Sequence, residues 1–192
     1  MPAAFVHPTA QVHGTAVLGD GAKIWNWVQV RERANIGCNV ILSKGVYVDF
    51  DVQIGDNCKV QNHVSVFHGV TLGKGVFVGP HVCFTNDKIP RAINPDGTQK
   101  AADDWIISPI HVGDGASIGA NATILPGVTI GRFALVGSGS VVTKDVPDFG
   151  LVVGNPARLV ATVCYCGNRF AGTACGTCGF AGPPGLSDRR HP

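Results

Sequence analysis

Residues 48–84 read VDFDVQIGDNCKVQNHVSVFHGVTLGKGVFVGPHVCF, and stepping by six from Val48 meets Ile54, Val60, Val66, Leu72, Val78 and Phe84. Every one is apolar. Four residues after each of the first six come Val52, Cys58, Val64, Val70, Val76 and Val82, all small or β-branched. The same register runs back through Leu42, Ile36, Val30, Ile24, Leu18 and Val12 to Val6, with Ala10, Ala16, Ala22, Val28, Ala34, Val40 and Val46 at the fourth places. Beyond Phe84 it breaks, then resumes in a shifted phase at Ile106, Val112, Ile118, Ile124, Ile130, Val136 and Val142.

A helix places apolar residues about 3.6 apart and a plain strand 2 apart. A period of six fits neither, but it fits a triangular solenoid. Each hexad supplies one short strand and one corner, and three hexads close an 18-residue coil. The aliphatic side chain points inward, and the small residue four places later fits the narrow corner. Glycine directly follows the aliphatic place in several hexads, as at Gly19, Gly37, Gly55 and Gly73, where it is expected to relieve the turn. The hexads make about seven coils, a prism of roughly 34 Å at about 4.8 Å per coil. The expected fold is all-β, a parallel β-helix.

Composition agrees. The chain has 192 residues, of which 45% are hydrophobic, 7% aromatic and 15% charged. That length suits one domain with a core of ordinary size. Glycine contributes 26 residues without a G-X-Y triplet, which excludes collagen, and the apolar content argues against disorder. Apolar runs are too short to span a membrane. A formal charge of +2 with interspersed signs is too weak a field for a nucleic-acid binder. The opening MPAAFVHPTA has neither a basic flank nor an apolar h-region, so a cytoplasmic location is expected.

The break at 85–105, TNDKIPRAINPDGTQKAADDW, is polar and fits no hexad. It reads as a loop expelled from the prism, and loops on rigid scaffolds commonly carry function. In 18-residue steps His63 lies beneath His81, and His68 beneath Asn86. Three imidazoles and an amide are thus expected to converge where the loop leaves. The plainer alternative is a set of solvated side chains on a solenoid wall.

The stretch from Val60 to Gly97, with its TN-x3-PRA segment, resembles the signature region of the hexapeptide-repeat nucleotide-sugar N-acetyltransferases. WNWVQVRERANIG at 25–37, residues 118–148 and VVGNPAR at 152–158 follow the same pattern. The resemblance covers about residues 5–163. It is nearest to enzymes that acetylate the 3-amino group of UDP-2-acetamido-3-amino-2,3-dideoxyglucuronic acid in surface-polysaccharide synthesis. It implies a left-handed β-helix and a homotrimer with active sites between prisms. It also implies acetyl transfer from acetyl-CoA to a sugar amine.

Asn86 matches the family asparagine that holds substrate while the neutral amine attacks the thioester. Positioning then supplies much of the acceleration, and a backbone N–H would serve the oxyanion. His68 is a candidate base or substrate-positioning group, since an imidazole titrates near 6.5. Arg31, Asn62 and Arg91 are the expected substrate contacts, guanidinium groups suiting a diphosphate or uronate. His63 and His81 stand behind them. For coenzyme A the resemblance points to the later coils, with Lys144, Arg132 and Arg158 for its phosphates and backbone groups near Ala122 and Ser138 for its pantetheine. The GSGS at 137–140 is not a phosphate loop, because no helix follows it.

Cys38, Cys58 and Cys83 fall inside the prism and read as small apolar residues. Cys164, Cys166, Cys175 and Cys178 form C-x-C-x8-C-x2-C past the last repeat, at knuckle spacings that suggest structural zinc over disulfides. The expected organisation is therefore a β-helix domain over 1–163, a four-cysteine zinc knuckle over 164–180 and a disordered tail over 181–192.

Rival readings exist. A dTDP-linked 3-amino sugar is an alternative acceptor, and O-acetylation of a hydroxyl would need a stronger base. The γ-type carbonic anhydrases share this prism, and His63 and His68 have a fitting H-x4-H spacing, but a catalytic zinc needs a third ligand. A non-enzymatic structural β-helix would leave the extruded loop without a purpose.

Overall fold

The computed structural model describes residues 2–170 and 174–181. The chain winds as a three-walled parallel β-solenoid in which nearly every strand is two residues long. The first wall stacks eight parallel strands, from Phe5–Val6 to Gly150–Val153, and ends on an antiparallel ninth, Arg158–Thr162. The second wall has seven strands, and the third has six plus a bridge between Ile130 and Val146. Seven full turns are therefore followed by one wall of an eighth. The tail expected beyond residue 181 lies outside the described residues.

Register follows the 18-residue step: Val60 pairs with Leu42 below and Val78 above, and Val66 with Val48 and Phe84. Across the loop the step lengthens, so that Leu72 pairs with Val112. The inward residues from Ile24 to Val142 are buried, as are the corner residues from Ala22 to Val146. Each buried aliphatic side chain contributes about 1.5–3 kcal/mol, so the stack is held by many equal small terms. The first coils are more open, with Val6 40% exposed at the N-terminal end.

Two expectations need correction. Ile106 is 86% exposed, so it belongs to the loop, and the register resumes at Ile110 and Val112. The loop thus runs from 85 to about 109. Nor do the glycines after the aliphatic place serve the turn's conformation. At Gly55 an added Cβ would lie 2.6 Å from the Gly73 carbonyl, so glycine there permits close approach between coils. In most corners a left-handed residue comes two places later, as at Asn39 and Asn57 (φ 56° and 60°). Asparagine is among the few side chains that favour that region.

Candidate active site

The three edges of the prism carry different chemistry. Along the second edge, between the second and third walls, the 18-residue step builds the column Glu32, Phe50, His68 and Asn86. It continues through Pro126 to Lys144.

His68 is half-buried and held from three sides. Its ring lies flat on Phe50, centroids 4.0 Å apart at 16°. Its Nδ1 lies 2.9 Å from the Phe50 carbonyl oxygen. A carbonyl only accepts, so Nδ1 carries a proton, and in the neutral tautomer that this fixes, the lone pair lies on Nε2. The His68 backbone N–H donates to Asp49 Oδ2 at 3.2 Å. Asn86, one coil above, donates its amide N–H to the His68 carbonyl at 3.2 Å.

Asp49 is the residue that sequence reasoning missed. It is 7% exposed, and its Oδ1 accepts from Arg31 Nη1 at 3.0 Å, Tyr47 Oη at 2.9 Å and the Phe50 N–H at 2.9 Å. Burial pushes the Tyr47 phenol above its ordinary range, so it stays a donor. One carboxylate thereby fixes the corner on which the His68 ring rests. The available signal was opposite charge at the 18-residue step, which pairs Arg31 with Asp49 and Arg33 with Asp51.

The loop leaves this edge and returns to it. It is ordered by antiparallel bridges joining Asp87 to Ile107 and Ile93 to Gln99. The Ala101 N–H and the Asn94 amide converge on Asp104 and hold its carboxyl below the usual range. At its base the Ser108 N–H donates to the Asn86 carbonyl at 3.2 Å, and Ile107 packs over Gly69, where a Cβ would lie 2.7 Å from its methyl. Above Asn86 opens a groove of about 700 Å³, lined by Thr85, Asp87 and Lys88 from the loop base and by Leu125, Pro126 and Lys144. Lys144 also borders a smaller recess with Arg158.

Other expected site residues fall elsewhere. His63 and His81 stack with centroids 5.3 Å apart, but on the first edge, with the strand Ser65–Val66 between them and His68. The expected convergence of three imidazoles therefore does not form, nor does a three-histidine metal site within one chain among the described residues. Both occupy the left-handed corner position (φ 58° and 60°), and exposed Asn62 precedes His63 there. Arg31 is committed to Glu32 and Asp49 at 2.7 and 3.0 Å, which leaves little of it for a diphosphate. Arg91 stands exposed on the loop.

Among the expected coenzyme residues, Arg132 lies on the third edge, paired with Asp148 at 2.9 Å, and Ser138 is exposed on the first. Ala122 is fully buried; its N–H donates to Gly119 and its carbonyl accepts from Cys83, so it offers nothing to a ligand. Of the three cysteines expected inside the prism only Cys58 is buried, and burial pushes its thiol up to about 11; Cys38 and Cys83 are half-exposed, on a corner and on the outer face of a strand.

Comparison with known proteins agrees with this architecture. Residues 109–144 match the bacterial transferase hexapeptide (six repeats) family. The chain is 55% identical over 56 residues, 29% of each chain, to dTDP-3-amino-3,6-dideoxy-alpha-D-galactopyranose 3-N-acetyltransferase of Aneurinibacillus thermoaerophilus. It is 35% identical over 136 residues to serine acetyltransferase 4 of Arabidopsis thaliana, 71% of this chain and 30% of that one. Among solved structures, a mutant of perosamine N-acetyltransferase from Caulobacter crescentus, in complex with CoA and GDP-perosamine, matches with a TM-score of 0.50 and 27% identity, over 83% of this chain and 57% of that one. The chain thus spans about three tenths of the length of these curated relatives.

Proposed function

We propose that this hexapeptide-repeat chain transfers an acetyl group from acetyl-CoA to the amino group of a nucleotide-linked sugar, at the second edge of the prism. The observation that carries the reading is His68, its Nδ1 proton committed to the Phe50 carbonyl and its Nε2 left as a base beside Asn86 and the extruded loop. Two relatives named above are N-acetyltransferases by name, one for a dTDP-linked 3-amino sugar and one crystallised with CoA and GDP-perosamine.

In this reading the neutral amine of the sugar, positioned by Asn86, attacks the thioester carbonyl. A C–N bond forms, and the carbonyl electrons move onto the oxygen. His68 Nε2 takes the ammonium proton. Collapse of the tetrahedral adduct breaks the C–S bond, and the departing sulfur accepts that proton from His68 to leave as coenzyme A thiol. The acetyl-CoA phosphates fit the cationic rim of Lys144, Lys88 and Arg158. A homotrimer would place a second prism against this open edge.

For the acceptor, the UDP-linked amino-glucuronate expected from the resemblance would meet Arg91 with its carboxylate. The 55% match over 56 residues favours the dTDP-linked 3-amino sugar as the second reading. The test is a panel of UDP-, dTDP- and GDP-linked amino sugars with acetyl-CoA, reading free thiol, with mass in solution measured alongside. Sugar-dependent thiol release with at least one 3-amino acceptor is expected. Release with none of the amino sugars but with the matching hydroxy sugars would replace N- by O-acetylation.

A further inference from the structure

Past the last turn the chain crosses back over its own end. The strand Arg158–Thr162 covers the free edge of Gly150–Val153, and the Val163 N–H donates to the Phe149 carbonyl at 2.8 Å. The four terminal cysteines follow. Their sulfur atoms all lie within 4.8 Å of one another, with Cys164 and Cys178 at 3.5 Å and Cys166 and Cys175 at 3.7 Å. Four thiolates at a Zn–S distance of about 2.3 Å in a tetrahedron would stand roughly 3.8 Å apart, so the set is close to metal geometry before any ion is added.

The backbone is shaped for the same purpose. The Gly167 N–H closes a tight turn on the Cys164 carbonyl at 2.9 Å, and the Gly179 N–H closes one on the Cys175 carbonyl at 2.9 Å. Each turn holds two sulfur ligands, one buried and one exposed. Asn168 donates its amide to Cys166 Sγ at 3.3 Å, the kind of supporting hydrogen bond that stabilises a metal-bound thiolate.

We propose that Cys164, Cys166, Cys175 and Cys178 bind one zinc ion, and that this ion clamps a cap over the C-terminal end of the solenoid. All four ligands come from the protein, so no position stays open for substrate and the ion's role is structural. The clamp acts through Tyr165, which lies between two of the ligands. Its ring meets Phe133 edge-on at 4.4 Å and Phe149 at 4.9 Å, the last two rings of the third edge, and Phe180 at 4.7 Å. An uncapped solenoid end presents free strand edges to other chains. Fixing Tyr165 on that aromatic column keeps the covering strand in place. The clamp does not depend on the proposed transferase chemistry.

The test is elemental analysis of the full chain purified under reductant, with intact mass measured in denaturant. About one zinc per chain and the mass of fully free thiols are expected. Cobalt exchanged into the site should give thiolate charge-transfer and tetrahedral d–d bands. Cys166→Ser and Cys178→Ser, both at exposed ligands, should lose the metal and lower Tm by several degrees. Should either variant fail to accumulate, the cobalt spectrum of the wild type decides. Zinc below about a tenth per chain in reduced protein, or a mass about 4 Da low from two disulfides, would overturn the proposal.

Discussion

The first and second edges of the prism both carry histidines on 18-residue columns, and the rings are held in different ways. On the first edge, His63 and His81 stack on each other, exposed, in the left-handed corner position. Gly45 below them has no side chain, and a Cβ there would lie 2.5 Å from His63 Nδ1. That column is an answer to turn geometry, for which histidine is one of the tolerated residues. On the second edge, His68 sits one place earlier in its corner. Its ring turns onto Phe50, one nitrogen is tied to a carbonyl, and Asp49 braces the corner beneath it. Residue type is shared; commitment of the ring nitrogens, and the neighbouring loop and groove, are not. Geometry around an imidazole is what separates the two columns.

That contrast can be broken most severely at Asn86. Asn86→Ala should lower kcat/KM by two orders of magnitude or more, in keeping with loss of positioning, while the mass in solution stays that of wild type. Steady-state kinetics with wild-type-like kcat/KM would remove the residue from the mechanism. A smaller effect is expected farther up the same edge. Lys144→Ala should raise KM for acetyl-CoA about five- to tenfold, the range of a solvent-facing charge on phosphate, and leave kcat nearly unchanged. An equal fall in kcat would place Lys144 at the reacting atoms and not at the coenzyme's phosphates.

The solenoid was legible because every coil repeats one instruction: an aliphatic inward, a small residue at the corner. Ile106 mimicked the pattern by chance, since a single apolar residue in a loop cannot be told from one in a wall without its paired neighbours. The vertical pairs His63–His81 and His68–Asn86 were equally legible, being fixed by the 18-residue step. Their sideways relation was not, because it depends on which residue of each corner turns outward and how a strand divides two edges. Asp49 went unseen for a related reason. A buried carboxylate is explained only by its donors, and those of Asp49 come from Arg31, Tyr47, Phe50 and His68, spread over three coils. The cysteine cluster, by contrast, was carried by local spacing alone.

The most direct measurement sets the two edges side by side: kcat/KM of His68→Asn and His63→Asn, assayed together with acetyl-CoA and the best acceptor sugar. Removing a positioned base costs about 10²- to 10⁴-fold, whereas asparagine suits the left-handed corner of residue 63 as well as histidine does. The account predicts a loss of at least two orders of magnitude for His68→Asn and less than about twofold for His63→Asn. Equal losses, or the greater loss at His63, would contradict it.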